Sequence, residues 1–250
     1  MRIPVMAGLI DRRILANYRV DPTVLERILP APFRPQVVNG WGIGGICLIR
    51  LKGERPRFFP SAFGFTSENA AHRFAVEWDD EGEVKSGVYI PRRDTSSRMN
   101  AFLGGRFFPG EHHLAKFEVS ESESHLSVAM RSVDESASVA VEGDLTQAFP
   151  SSSVFSSVQA ASAFFECGSL GYSATCRPGV YDGLELKAYG WNVEILGVSR
   201  CESSYFSNRE MFPAGSVEFD HALLMRKIVH EWHGRPTLKA AENHAAMVAG

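Results

Sequence analysis

The stretch HRFAVEWDDEGEVKSGVYI, residues 72–90, consists of two segments, HRFAVEW and EVKSGVYI, joined by the four residues DDEG. Both segments have the composition of short strands. Asp and Gly supply the backbone conformations that a tight connection between two strands needs. The stretch therefore predicts a β-hairpin with strands over residues 72–78 and 83–90.

Further strand-like segments lie on both sides of this hairpin. Upstream are residues 13–20 and the run WGIGGICLIRL from Trp41, which has no helical period and is expected to bend at Gly44 and Gly45. Downstream, strands are expected over 114–119, 124–132, 137–143, 170–175, 184–201, 203–207 and 217–224. So many strands at short intervals favour a mainly β (α+β) fold, a barrel or sandwich with a few peripheral helices.

Three helices are expected between these strands. Asp21 followed by Pro22 is typical of a capped first helical turn, and helically spaced apolar residues follow. A second helix is expected over residues 96–108, with Asp94 as its cap. A third is expected after the serine cluster at 151–153.

Composition narrows the classes of function. The 250 residues include 26 Lys and Arg against 29 Asp and Glu, a formal net charge of −3, so no overall positive charge attracts nucleic acid or an anionic membrane. No apolar run approaches the roughly 18 residues of a membrane span, and the N-terminus does not resemble an export signal. The four cysteines lack the spacing of a zinc site or a disulfide framework. We therefore expect one cytoplasmic domain, residues 1–250, that binds a small molecule and neither nucleic acid nor a membrane.

The densest ionic cluster is PRRDTSSR, residues 91–98, just beyond a predicted strand end. It contains Arg92, Arg93 and Arg98 with a single carboxylate, Asp94. A guanidinium presents a planar fork that matches a carboxylate, so the cluster predicts a clamp for an anionic substrate. Because neighbouring strand residues face opposite sides, at most one of Arg92 and Arg93 would face a pocket. The alternative is a helix cap among solvated arginines.

Two histidines and a glutamate are candidates for acid–base chemistry. His112 and His113 precede a predicted strand, and histidine exchanges protons near neutral pH. Adjacent side chains on a strand diverge and no third ligand accompanies them, so no metal site is predicted. Glu68, in FGFTSEN (63–69), lies among apolar and small residues where a buried carboxylate would fit. The alternatives are a surface or core histidine pair and a solvated loop glutamate.

At four separated places the chain resembles acetoacetate decarboxylase and its superfamily. These places are DRRILANYRVDPTVLERILPAPF (11–33), FGFTSEN (63–69), GGRFFPGEHHL (104–114) and FDHAL (219–223). The resemblance implies an antiparallel, cone-shaped β-barrel with an interior pocket. It also implies an active-site glutamate, for which Glu68 would be the counterpart, and an arginine near the first strand, which would be Arg12 or Arg13. Because family members tend to assemble, a homo-oligomer is a further expectation.

The Schiff-base lysine of this family is missing from its expected place. Family decarboxylases form an imine through a lysine whose pKa is lowered by burial and by a neighbouring lysine. Counted from the Gly-Arg pair that ends at Arg106, that position falls on His113, and Lys116 would lie on the other face of the strand. The patterns IPRRDTSS (90–97) and LLMRKIVHEW (223–232) resemble an uncharacterised branch of the superfamily, a domain family of unknown function, more than the decarboxylase itself.

The sequence therefore predicts an enzyme for a small carbonyl-containing or carboxylate compound that works by acid–base chemistry without metal or organic cofactor. Its reaction would be of the lyase, hydratase or isomerase type. In this hypothesis His113 exchanges protons, and Glu68 orients the substrate or acts as a partner base. The side chains expected to hold the substrate are Arg106, Arg92, Arg93, Arg13 and His112. Two alternatives stay open: a non-catalytic binding protein with the same pocket, and an imine-forming enzyme with a relocated lysine such as Lys116 or Lys187.

Overall fold

The computed structural model of the protein describes residues 4–105 and 108–240. Strands account for 60% and helices for 11% of it, so the mainly β fold class predicted from the sequence is confirmed. None of the described helices has the length and hydrophobicity that a membrane crossing requires.

Thirteen strands form one sheet in the described part of the chain. In chain order they are β1 (Met6–Val20), β2 (Arg34–Pro35), β3 (Val37–Val38), β4 (Trp41–Pro56), β5 (Phe65–Asp80), β6 (Glu83–Thr95), β7 (His112–Glu121), β8 (His125–Ser132), β9 (Ser138–Thr146), β10 (Leu170–Ala174), β11 (Val180–Tyr189), β12 (Glu194–Ser203) and β13 (Val217–Lys239). The helices are α1 (Pro22–Ile28), α2 (Arg98–Leu103) and α3 (Val158–Cys167), with a 3-10 turn at Ser61–Phe63.

The sheet closes on itself. Its strand order is β11-β10-β6-β7-β8-β9-β12-β13-β1-β4-β5-β2, and β3 pairs with β4. The additional pairings β5–β6 and β11–β13 join distant parts of this path, so that nine strands form a closed ring. Most pairs are antiparallel, as predicted, but β6 pairs in parallel with both β7 and β10. A parallel pair cannot be joined by a tight hairpin, and α2 lies in the connection from β6 to β7.

The hairpin predicted over residues 72–90 is present as β5 and β6. Asp80 pairs with Glu83, so the connection consists of Glu81 and Gly82 alone. Both residues have positive φ, 50° and 83°. This is the backbone signature of a type I′ turn, whose twist matches the twist of the strands it joins.

The first helix begins as predicted and the second does not. Asp21 caps α1, because its carboxylate accepts a hydrogen bond of 2.8 Å from the amide of Thr23. Asp94 does not cap α2: it is a fully buried residue of β6, and the guanidinium of Arg92 donates to it. The side chain of Ser97 caps α2 instead, so this helix starts later and is shorter than expected. The third helix follows the serine cluster, as predicted.

Three strand boundaries differ from the prediction. The strand expected over 184–201 is divided into β11 and β12, because the chain turns at Gly190, whose φ is 96°. The strand expected over 203–207 is a turn beyond its first residue. The last strand, β13, continues to Lys239 instead of ending near residue 224, because it pairs with β1, β11 and β12.

The two faces of the sheet carry separate apolar clusters, because successive residues of a strand point to opposite faces. On β1, Ile14 belongs to one cluster and Leu15 to the other. On β5, Phe74 and Ala75 are divided in the same way. We call the face that carries Leu15 and Ala75 the cavity face, because the cavity described below lies against it.

Candidate functional site

A cavity of about 160 Å³ lies on the cavity face. An engineered protein cavity of roughly 150 Å³ binds benzene, so this space suits a molecule of a few carbon atoms. The wall is mostly apolar. Its large apolar side chains are Met6, Ile49, Leu51, Phe65, Val88, Ile90, Phe108, Phe165, Leu184, Leu186, Trp191 and Trp232.

Three arginines from three different strands also line the cavity. They are Arg13 of β1, Arg73 of β5 and Arg93 of β6. Strand alternation explains the first two, because Arg13 lies two residues from Leu15 and Arg73 two residues from Ala75. Placing a charged group in an apolar wall costs free energy unless a partner compensates it, so the partners of each guanidinium are informative.

Arg13 has partners with little negative charge. Its Nε donates to the Sγ atom of Cys47 over 3.4 Å, and its guanidinium carbon lies 5.9 Å from the ring centroid of Trp191. Its Nη1 is buried and has no hydrogen-bond partner in the described structure. An N–H group of Arg13 therefore stays available to a ligand.

Arg73 is more deeply buried, at 4% exposure. Its Nη2 donates a hydrogen bond of 2.6 Å to Oδ1 of Asn17, and its guanidinium carbon lies 4.8 Å from the ring centroid of Phe165. Its Nε is buried without a partner among the described residues. Burial, with a contribution from the charge of Arg13, lowers the pKa of Arg73 to about 10, so the side chain keeps its charge at neutral pH.

Arg93 donates from Nε to the hydroxyl of Ser173 at 2.8 Å. Burial lowers its pKa to about 10, so it too is charged at neutral pH. The two carboxylates of the cavity wall form no ion pair with these arginines: Asp94 lies 2.8 Å from Nη2 of Arg92, and Glu54 lies 2.7 Å from Nε2 of His230 without hydrogen-bond geometry. In the described structure, therefore, none of the three cavity arginines forms an ion pair with a carboxylate.

His112 lies beside these arginines at the start of β7, paired with Arg93 across the parallel strands β6 and β7. Its Nδ1 is 3.1 Å from the carbonyl oxygen of Gly110. A carbonyl oxygen only accepts, so Nδ1 carries the hydrogen of the neutral ring. Burial, together with the charge of Arg93, lowers the pKa of His112 to about 3. At neutral pH its Nε2 therefore carries a free lone pair, and no described residue donates to it.

Two residues that the sequence analysis singled out lie away from the cavity wall. The side chain of His113 is 38% exposed, and its Nδ1 lies 3.7 Å from the carboxylate of Asp134. Glu68 accepts hydrogen bonds from Arg12 and Arg50, on the face of β5 opposite to the cavity. Neither His113 nor Glu68 is among the described residues that line the cavity.

Each adjacent pair of arginines is divided between the two faces. Arg13 and Arg93 line the cavity, whereas Arg12 and Arg92 each form an ion pair with a carboxylate. This division follows from the alternation of side chains along a strand. Arg106, the remaining arginine of the sequence hypothesis, lies outside the described residues.

Three residues at the cavity were not predicted from the sequence: Arg73, Asn17 and Cys47. The sequence contained an indication of Arg73. In HRFAVEW it lies two residues before Ala75, so both share one face of a strand that is apolar on both faces. No comparable signal marks Asn17 or Cys47, since their contacts with arginines join strands β1, β4 and β5. These contacts depend on strand register.

No lysine lines the cavity within the described ranges. Lys116 and Lys187, the two candidates for a relocated imine-forming lysine, have exposed side chains on β7 and β11. In the same part of the chain, no group of three or more His, Cys, Asp and Glu side chains could hold a metal ion.

The chain matches the sequence profile of a known protein family. A profile of the family DUF2071, described as an uncharacterized conserved protein, matches residues 10–194, well over half of the sequence. The chain belongs to the DUF2071 family. No curated protein is significantly similar in sequence to this DUF2071 protein.

Solved structures of acetoacetate decarboxylases and related enzymes share the fold of the DUF2071 protein. The decarboxylase of Legionella pneumophila has a TM-score of 0.62 at 13% identity, over 98% of this chain and 90% of its own. The enduracididine biosynthesis enzyme MppR, complexed with pyruvate, has a TM-score of 0.58 at 9% identity, over 97% and 92%. An acetoacetate decarboxylase-like enzyme of Sphingomonas wittichii RW1 has a TM-score of 0.54 at 10% identity, over 96% and 92%. The predicted resemblance to this superfamily is confirmed, and at such identities it establishes the fold alone.

Proposed function

We propose that this DUF2071 protein is an enzyme that moves a proton on a small carbonyl-containing carboxylate, with His112 as the base and no cofactor. The reaction would be of the lyase, hydratase or isomerase type. The observation that carries the proposal is a neutral imidazole beside Arg93 in a small, mostly apolar cavity. The fold shared with enzymes, one of them complexed with pyruvate, supports a substrate of this class.

Arg93 would bind the reacting end of the substrate. A 2-oxo acid presents a carboxylate oxygen and a carbonyl oxygen side by side, and the planar fork of a guanidinium can donate to both. Because Arg93 pairs with His112 across β6 and β7, a substrate held in this way has its carbonyl end next to the imidazole. The apolar wall limits access of water, which strengthens the interaction of Arg93 with negative charge.

The proposed proton transfer needs no group from outside the site. The C–H bond next to the carbonyl breaks, its proton moves to Nε2 of His112, and its electron pair enters the carbonyl group to form an enolate. Arg93 stabilises the enolate oxygen. The hydrogen bond from Nδ1 to the carbonyl of Gly110 keeps the ring in place. The imidazolium finally returns the proton, either to carbon or to a leaving group.

The strength of this base depends on the substrate. A base works best when its pKa lies near the working pH. Burial is the main cause of the lowered pKa of His112, and the charge of Arg93 adds to it. A carboxylate bound to Arg93 offsets that charge and removes the smaller of the two causes, so substrate binding raises the pKa of His112. His112 is therefore a stronger base with substrate bound than in the empty cavity.

The catalytic roles predicted from the sequence for His113 and Glu68 stay predictions. The experiment must therefore distinguish the effect of each of these residues from that of His112. Replacing each of the three residues in turn does this, because their side chains lie in different surroundings: the cavity wall, the vicinity of Asp134 and the ion pair with Arg12. Arg92 and Arg106, also predicted to hold the substrate, can be replaced in the same series.

Deuterium exchange tests the proposal without a known product. Exchange of the C–H hydrogens of pyruvate and 2-oxobutyrate in D2O is followed by proton NMR. We expect the full chain to accelerate exchange and His112→Asn to abolish the acceleration, because the Asn amide can still donate to Gly110 but offers no base. Exchange at the wild-type rate in His112→Asn would contradict the proposal. Binding of oxo acids without exchange would favour the non-catalytic binding protein.

A further inference from the structure

The proposed reaction uses one cavity arginine and leaves two without a role. We propose that the substrate is a small dicarboxylate, with one carboxylate on Arg93 and the other between Arg13 and Arg73. This inference deepens the proposed function for the same cavity, but the second carboxylate site stands on its own contacts.

By their surroundings the arginines divide into Arg93, which pairs with His112, and a second group, Arg13 and Arg73, which carry buried donors without a partner among the described residues. Arg93 pairs with Ala71 of β5, and Arg73 lies two residues further along that strand, about 7 Å at the usual rise per residue. Arg13 pairs with Ile49 of β4, and Ile49 pairs with Asn69 of β5, so the backbone of Arg13 lies two residues to the other side of Ala71. Cys47 pairs with Leu15 of β1 and Ala71 of β5, at the level between Arg13 and Arg73, and its Sγ accepts from Nε of Arg13.

The second group has unused donors. Nη1 of Arg13 and Nε of Arg73 are buried without a hydrogen-bond partner in the described chain. A buried charged donor left unpaired is costly, and an incoming carboxylate removes that cost. A monocarboxylate on Arg93 would leave these two guanidiniums uncompensated, whereas a dicarboxylate reaches both groups.

The carboxylates of the protein do not fill this role. Asp94 lies in the wall but is bound by Arg92, and Glu54 lies 2.7 Å from His230. Oδ1 of Asn17, the one oxygen that accepts from the guanidinium of Arg73 in the described structure, belongs to a neutral amide. No described carboxylate forms an ion pair with these guanidiniums, and a ligand carboxylate would supply the negative charge that they lack.

The size of the cavity and the positions of its arginines favour a dicarboxylate over inorganic phosphate. A volume of about 160 Å³ suits a diacid of about four carbon atoms. Inorganic phosphate concentrates its charge at one centre, whereas Arg93 and Cys47, which Arg13 contacts, lie two strands apart, about 9.5 Å between their backbones. The structure therefore favours two separated carboxylates.

Calorimetric titration of the full chain with succinate and butyrate at pH 7 tests this inference. The two acids have the same number of carbon atoms and differ by one carboxylate. We expect succinate to bind at least about tenfold more tightly than butyrate. Arg13→Gln and Arg73→Gln should each reduce succinate affinity to about the level that butyrate has for the wild type. Arg34→Gln, an exposed arginine that pairs with Asp79, is the matched control and should change neither.

Three results would overturn the inference: equal affinity for the two acids, no detectable binding of succinate, or tighter binding of inorganic phosphate than of succinate. Arg13→Gln keeps the test valid if the more deeply buried Arg73→Gln fails to fold. Because succinate has no ketone or aldehyde group, its binding is independent of the proposed proton transfer. Preference for succinate without deuterium exchange of 2-oxoglutarate, which has a ketone group and two carboxylates, would remove the proposed function alone. Exchange without that preference would remove the dicarboxylate alone.

Discussion

The guanidinium of Arg73 donates a hydrogen bond of 2.6 Å to Oδ1 of Asn17, and Asn17 is itself held by two further partners. Its amide nitrogen donates to the carbonyl of Leu15 and lies 3.1 Å from Nε2 of His221. Nδ1 of His221 in turn lies 2.6 Å from the carboxylate of Asp220. This buried series of hydrogen bonds orients the guanidinium of Arg73 through Nη2, whereas its Nε has no partner among the described residues.

Asn17→Asp is expected to weaken anion binding. The new carboxylate would form an internal ion pair with Arg73 and compete with a carboxylate ligand, which should lower succinate affinity by about tenfold. Calorimetric titration measures the change. Asn208→Asp is the matched control, because Oδ1 of this exposed residue accepts from the amide of Glu210 and an aspartate can do the same. Unchanged affinity in Asn17→Asp would argue against Arg73 as a ligand-binding group.

The buried histidines predict a loss of stability in acid. Burial lowers the pKa of His72 and, with Arg93, that of His112 to about 3, against about 6.5 in an unfolded chain. Between these values the unfolded state binds more protons, so the free energy of unfolding falls as the pH drops from about 6.5 to 3. Each histidine contributes at most about 1.4 kcal/mol per pH unit.

Urea unfolding of the wild type and His112→Asn over this pH range checks the prediction. Ion-paired carboxylates lose stability in the same direction, but they are common to both proteins and cancel in the comparison. We expect a smaller dependence of stability on pH in the variant. The same dependence in both proteins would mean that His112 is not held neutral by its surroundings.

Glu68→Gln is expected to affect stability more than ligand binding. Arg12 is nearly fully buried and pairs with Glu68, so loss of the carboxylate should lower the free energy of unfolding by about 2 kcal/mol. Glu77→Gln, on the same strand but in a more exposed pair with Arg34, should cost less than about 1 kcal/mol. If Glu68→Gln instead abolished deuterium exchange at unchanged stability, Glu68 would be a catalytic residue, as the sequence hypothesis has it.

Borohydride trapping with pyruvate separates acid–base chemistry from imine chemistry. We expect mass spectrometry to find no stoichiometric adduct on a lysine, because the described cavity wall contains none and Lys116 and Lys187 are exposed. Family decarboxylases need a buried lysine of lowered pKa for this step. A stoichiometric adduct on one lysine would support the imine-forming alternative and remove His112 from its central role.

The parts of the fold that depend on local chemistry were predictable. The turn at Glu81 and Gly82 and the cap at Asp21 follow from residues that are adjacent in sequence. Asp94 was misjudged, because its partner Arg92 and its burial within β6 keep it in a strand. The length of β13 was also missed, since it is set by pairing with strands from distant parts of the chain.

The candidate site was predictable only in part, because the sequence does not show which of two adjacent strand residues faces the cavity. Sequence motifs pointed to Arg92–Arg93 and His112–His113, but a shift of one residue on a strand exchanges the two faces. The sheet pairings show which member of each pair lines the cavity. Arg73 could have been identified from its parity with Ala75, whereas its contact with Asn17 requires the register of β1 on β4 and of β4 on β5.

The most direct test of the central claim compares His112→Asn with His113→Asn in the deuterium-exchange assay, at one pH and with both variants shown to be folded. The variants remove adjacent imidazoles, one in the cavity wall and one beside Asp134. We predict that His112→Asn lowers the exchange rate by at least about 100-fold and that His113→Asn stays within about twofold of the wild type. Loss of exchange in His113→Asn with full activity in His112→Asn would contradict the account.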